Sequence, residues 1–351
     1  MSKITKGQHW QVRDSQSPQG AFGSLDVGQY ITEVPESRIQ GIWDERDDRG
    51  VFRVGRAIIR CVVLNSQADR AAGTVAYADG MTVPIDSKAG IREGSEIAAR
   101  NPDHQIHLLD EIYNIDAETQ KNLDPGLLTG RDSDFGPYGR LYADYFESTN
   151  QFPEVLIGHS LGARAMIALA RDHRTTGSLK ALSSSEPLGA KRMAWPLLNL
   201  GLARTSIAET VAISMDQLKD QSDNLQHFKD ASKIPAEFLA DIKHKANDGR
   251  EFASIMWGLY RTIRGLGRAG LASEIEQVHQ QHDDLRHYLW AGRYSFTVPF
   301  AAVETMYYQL PLEIRQRIQF AVADTRHNSG VAYPAKFAAQ TAYVISDSTS
   351  R

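Results

Sequence analysis

Short apolar runs alternate with amphipathic stretches along much of the chain, and their order predicts the architecture. Val51 to Val54 and Ala57 to Leu64 read as two strands separated by Gly55, an opening hairpin. Gly73 to Tyr77 is a third apolar run, ending in Ala78-Asp79-Gly80-Met81. Ser87 to Arg100 has helical spacing, with Ile91, Ala98 and Ala99 on one side and Ser87 as its cap. Gln105 to Leu109 is a strand, Tyr138 to Phe146 suits a helix, and Val155 to Ile157 is again a strand that runs into an Ala-rich helical stretch. Such alternation implies βαβ units, hence an α/β fold: a mostly parallel sheet with helices on both faces.

After a further strand at Leu179 to Ser183 the pattern changes. From Leu188 to about Arg293, stretches such as Ile207 to Leu218, Ala236 to Ala246, Phe252 to Ile263 and Leu271 to Leu289 have helical spacing. Sheet-like runs resume at Thr297 to Val303 and Gln319 to Ala323, and a last helix is expected from Tyr333 to Ile345. Pro334 lies near its start, where a missing amide hydrogen costs little. The domain reading is an irregular, polar N-terminal arm over residues 1–35, a core over 36–187 and 296–351, and an inserted α-helical cap over 188–295.

Composition narrows the function classes. Lys plus Arg is 39 and Asp plus Glu 43, a formal charge of -4, with no basic stripe for nucleic acid. No run approaches the roughly 20 apolar residues that span a bilayer, and Met1 to Arg13 lacks an apolar signal-peptide core. A cytoplasmic location is therefore expected. The single cysteine, Cys61, lies in an apolar run and reads as a buried strand residue. No metal-ligand pattern or phosphate-binding loop occurs, so neither metal nor cofactor is expected. Gly265-Leu266-Gly267-Arg268-Ala269-Gly270 matches the letters of a dinucleotide fingerprint but follows a helical stretch, so it reads as a loop.

Chemistry concentrates at Gly158-His159-Ser160-Leu161-Gly162. A strand enters this sequence and a small-residue helix leaves it, with a serine at the apex of a sharp turn. The glycines permit close approach of strand and helix, and the helix N-terminus favours developing negative charge. The motif resembles the nucleophile elbow of the α/β-hydrolase family, in the form common among esterases and lipases. The resemblance covers about residues 50–187 and 296–351.

The resemblance implies roles for further residues. Ser160 would be the nucleophile and His327, just beyond the last apolar run, the general base. The usual aspartate after the penultimate strand is missing, since Glu304-Thr305-Met306-Tyr307-Tyr308 stands there. The carboxylate that orients the base is then Glu186, followed by Pro187 at the end of an earlier strand, or Glu304; Glu186 is favoured. The backbone N–H groups of Leu161 and Met81 would form the oxyanion hole, and Gly80 would let the chain approach the substrate. Asp79 would disfavour an anionic intermediate unless it points away. His159 reads as a pocket-wall or packing residue.

The expected function is cleavage of a carboxylic ester or related acyl bond in a small, partly apolar substrate through an acyl-enzyme. Trp195, Trp257, Tyr260 and Trp290 would give the cap an apolar pocket wall. Acyl transfer or haloperoxidase-like chemistry on the same scaffold, or a non-catalytic binding protein, are the alternatives.

Overall fold

The computed structural model describes residues 10–13, 22–25, 30, 34–54, 57–68, 73–80, 85, 88–110, 135–190, 270–323, 327 and 334–349. Ten strands form one sheet. In chain order they are β1 (Trp10–Arg13), β2 (Phe22–Leu25), β3 (Asp47–Val54), β4 (Ala57–Leu64), β5 (Thr74–Ala78), β6 (Gln105–Leu109), β7 (Val155–His159), β8 (Ala181–Ser185), β9 (Arg286–Gly292) and β10 (Ile318–Ala323). Their order across the sheet is β2-β1-β10-β9-β8-β7-β5-β6-β4-β3. The six strands from β10 to β6 run parallel, while the β3–β4 and β1–β2 hairpins close the two edges antiparallel.

Helices α1 (Glu36–Asp44), α2 (Lys88–Arg100), α3 (Gly136–Ser148), α4 (Leu161–Ala170), α5 (Leu271–Gln281), α6 (Phe300–Gln309), α7 (Leu312–Arg315) and α8 (Pro334–Thr349) cover the sheet. Strand alternation divides the core into two layers. Cys61, Val63, Ala76, Ala78, Leu156 and Leu182 face one cluster with residues of α3, α4 and α5. Val62, Leu64, Val75, Tyr77, Val155 and Ile157 face the other, with residues of α2 and α8. Strands β5 to β8 are buried along their whole length, as in a parallel sheet covered on both sides. Among the described residues no helix is long and apolar enough to cross a membrane.

Several expectations are corrected. The region 1–35 is not an arm throughout: β1 pairs with β10, Gln11 opposite Val322, and β2 pairs with β1. The helix expected over Leu271 to Leu289 ends at Gln281, and Arg286–Gly292 is a central strand between β8 and β10. A strand buried on both faces shows no alternation, so its short apolar run carries no decisive period. Trp290 is therefore core and not a cap wall; it is 1% exposed and its indole N–H donates to Ser183 Oγ at 2.9 Å.

Conversely, the strand expected over Thr297 to Val303 is the start of a helix. Pro299 precedes α6, and Val303, Met306 and Tyr307 are buried at three- and four-residue spacing. Glu304 is thus a helical residue, one turn into α6, and not a strand end. Residues 191–269, which carry most of the expected cap with Trp195, Trp257 and Tyr260, lie outside the described residues, as does Met81.

Candidate active site

The sheet's central strand β7 delivers Ser160 to its C-terminal end, where open α/β sheets place their ligand sites. Ser160 has φ 56° and ψ -115°, a left-handed backbone that a side chain rarely adopts. Two main-chain hydrogen bonds hold it there: Ser160 N–H donates to Ser185 O at 2.8 Å, and Ser160 O accepts from Leu188 N–H at 3.3 Å. A Cβ on Gly162 would collide with the carbonyl groups of Ala78 and Asp79, so only glycine lets α4 leave this close to β5. A Cβ on Gly80 would stand 3.0 Å from Ser160 Cβ, so this loop lies directly against the serine.

The Ser160 hydroxyl does not cap α4. It faces His327, whose Nε2 is 2.8 Å from Ser160 Oγ. His327, 167 residues further along the chain, is 6% exposed in this position. Leu161, the first residue of α4, is fully buried behind the serine.

Glu186 closes the other side of His327. It follows β8 in a left-handed conformation, φ 46°, with its N–H donating to Trp290 O at 2.8 Å. Its Oε1 accepts from Gly292 N–H at 3.2 Å, which fixes the carboxylate against the end of β9. Its Oε2 lies 3.5 Å from His327 Nδ1 and 3.9 Å from His159 Nε2. Burial alone would push this carboxyl up, but hydrogen bonding and charge from His159 and His327 bring it down to about 2. The structure thus brings Ser160, His327 and Glu186 together, whereas Glu304 has lost the strand-end position that made it a candidate.

Residue-by-residue reading missed a second buried layer. His159 is not simply packing: its Nε2 is 2.7 Å from the backbone carbonyl of His327 and its Nδ1 is 3.0 Å from Asp79 Oδ1. Asp79 meets His159 with the same Oδ1 that accepts the N–H of its neighbour Gly80, at 2.5 Å. Behind it, Tyr77 donates to Glu93 Oε1 at 2.7 Å in a pair with no solvent contact at Glu93. Burial first, and the charge of Asp79 second, push the Glu93 carboxyl well up. The available signal was Asp79 itself: an acid in the loop beside the serine needs a donor, and His159 adjoins that serine.

Among the described residues, His159, Glu186 and His327 each offer one donor atom within 4.8 Å of the others. The nitrogens facing Glu186 are His159 Nε2 and His327 Nδ1, so an ion there would draw His159 Nε2 away from the His327 carbonyl while leaving the contacts to Asp79 and Ser160 in place.

No family model and no curated protein matches the sequence. Solved structures do. A serine hydrolase from the polyaromatic-hydrocarbon-degrading bacterium Cycloclasticus zankles is similar at TM-score 0.55 and 10% identity, over 87% of this chain and 100% of that one. A hydrolase from Pseudomonas aeruginosa matches at TM-score 0.53 and 10% identity, covering 86% of this chain and 98% of its own. A bromoperoxidase from Bacillus anthracis matches at TM-score 0.52 and 10% identity, covering 85% and 99%. Together with the strand order, these likenesses establish the α/β-hydrolase fold.

Proposed function

We propose that this protein is a serine hydrolase that cleaves a carboxylic ester or related acyl bond through an acyl-enzyme. The observation that carries the reading is the 2.8 Å contact between Ser160 Oγ and His327 Nε2, with the Glu186 carboxylate behind His327 Nδ1. A serine hydroxyl is a weak nucleophile until a base takes its proton. In this reading His327 accepts that proton as Oγ attacks the carbonyl carbon, and Glu186 stabilises the imidazolium formed. The backbone N–H groups of Leu161 and Met81 receive the oxyanion, assisted by the N-terminus of α4. His327 returns the proton to the leaving alcohol. It then activates water, which attacks the acyl carbon and frees the enzyme.

The left-handed backbone at Ser160 supports this reading over an inert turn, since strain of this kind is retained where the surroundings fix it for a purpose. Residues 191–269 would form the cap, and the substrate would be a small, partly apolar acyl compound handled in the cytoplasm. A fluorophosphonate probe tests the claim. It is expected to label the wild-type protein at Ser160, and Ser160→Ala is expected to lose both labelling and p-nitrophenyl acetate hydrolysis, with kcat down about 10⁶-fold. Undiminished hydrolysis in the purified variant would sink the serine mechanism.

A further inference from the structure

We propose that His159 is a positioning residue for His327: a doubly protonated imidazole whose Nε2 proton holds the His327 backbone carbonyl while Asp79 holds its Nδ1 proton. The claim rests on the serine-hydrolase reading, because a positioned His327 matters only if His327 moves a proton.

The protonation follows from the partners. A carbonyl oxygen can only accept, so the 2.7 Å contact to His327 O requires hydrogen on Nε2. On the far side, Asp79 as a carboxylate can only accept, as it does from the Gly80 N–H, so the 3.0 Å contact then places hydrogen on Nδ1 as well. An imidazole that donates from both nitrogens is an imidazolium. The groups facing it agree with a cation. Asp79 approaches from the end of β5, and Glu186 Oε2, from the end of β8, is 3.9 Å from Nε2. The Phe337 ring of α8 lies 5.8 Å away edge-on, and the His327 ring 5.1 Å away. Glu93, on α2, is bonded to Tyr77 and also feels the charge of His159. Burial would lower the proton affinity of His159, but Asp79 and Glu186 raise it well above that of an ordinary imidazole.

The consequence for chemistry is geometric and electrostatic. One residue, His327, is held at both ends: its carbonyl by His159 and its ring by Ser160 and Glu186. Freeing the carbonyl lets the ring drift from Ser160, and drifts of about 1 Å can cost on the order of 10²-fold in rate. When His327 carries the proton of Ser160, two imidazolium ions stand opposite two carboxylates, Asp79 and Glu186. The Asp79 position, unfavourable by itself beside an oxyanion, is explained by this pairing.

The test combines ¹⁵N-histidine NMR of the whole protein with kinetics. One ring, absent from the spectrum of His159→Gln, is expected to keep both nitrogens protonated up to pH 8. His159→Gln is expected to lower kcat on p-nitrophenyl acetate by about 10²-fold, with KM changed by less than about 3-fold. Removing a buried cation can unfold a protein, so Asp79→Asn serves as the second variant. It should lower the proton affinity of His159, so that the alkaline decline of kcat begins at lower pH than in the wild type. The positioning role is overturned if His159→Gln keeps kcat within about 2-fold of a probe-reactive wild type, if no ring stays doubly protonated at pH 8, or if Asp79→Asn keeps the wild-type pH profile. A wild-type protein that does not react with the fluorophosphonate overturns the serine reading itself, and the NMR still reports the charge of His159 separately.

Discussion

Two pairs of buried histidines occupy this sheet, and burial does not decide their charge. His159 and His327 meet at the C-terminal ends of β7 and β10, their rings 5.1 Å apart, with Asp79 and Glu186 against them. His279 and His287 meet between α5 and β9, their rings stacked at 5.5 Å, His279 Nε2 3.4 Å from His287 Nδ1. Around the second pair stand the hydroxyl of Ser184, 3.1 Å from His287 Nε2, and Arg317, which donates to the carbonyls of His279 and His282. Burial, then Arg317 and His282, bring His279 down to about 3, and burial and His279 hold His287 well below its usual value. His159 moves the other way, because Asp79 and Glu186 overcome the same burial. Carboxylates make a buried imidazole hold protons, while their replacement by a hydroxyl and a guanidinium makes it a neutral packing group.

The sharpest way to break this contrast is to remove the carboxylate shared by the first pair. Glu186→Gln is expected to lower kcat by about 10⁴-fold, the scale of losing the group that orients a catalytic imidazole. Glu304→Gln, in the body of α6, is expected to lose far less. Rates of hydrolysis for both variants check this, and the reverse ranking would move the orienting acid to α6.

The two pairs should also respond to pH with opposite signs. His159 has a raised folded-state affinity, so its contribution to stability is complete below the unfolded value of 6.5 and is lost as pH rises through the folded value. Glu186 is depressed from 4.5 to about 2, so its contribution is present above 4.5 and lost as pH falls toward 2. Urea midpoints across pH 2 to 10 are expected to fall at both ends. In Asp79→Asn the alkaline decline should begin at lower pH; an unmoved decline would show that Asp79 does not hold the proton of His159.

The neutral pair has the smallest expected effect on catalysis. His279 resists protonation until about pH 3 in the folded protein, whereas its unfolded form takes a proton near 6.5. Stability should therefore fall as pH drops from 6.5 toward 3. Replacing it, as in His279→Leu, should reduce the slope below pH 6 by about 1.4 kcal/mol per pH unit, one proton's worth. Catalysis of p-nitrophenyl acetate should be nearly unchanged, and equal slopes in the two proteins would contradict a neutral His279.

The elbow was legible because its constraints are local. Gly158, Ser160 and Gly162 are fixed by a strand, a turn and a helix that follow one another directly, and the apolar pattern of β4 to β7 needs only neighbouring residues to be read. His327 was singled out by the resemblance, which implies a histidine just beyond the last strand. The pattern failed at β9 and α6 because an apolar run has no intrinsic preference once both faces are buried. In β9 the hydrogen bonds of β8 and β10 select a strand for Tyr288 to Ala291, and these partners are far away in sequence. In α6 the spacing of Val303, Met306 and Tyr307 outweighs the β-branched start of the segment.

The sequence by itself determined that a serine would stand on a sharp turn between strand and helix in an α/β protein, because the period of apolar residues and the positions of glycine are local properties. Only the tertiary structure decided which carboxylate faces His327, and that His159 is bonded on both sides, to Asp79 and to the His327 carbonyl. Those outcomes depend on the ends of β5, β7, β8 and β10 meeting at one point, and hydrogen-bond partners separated by 80 to 168 residues leave no periodic trace along the chain.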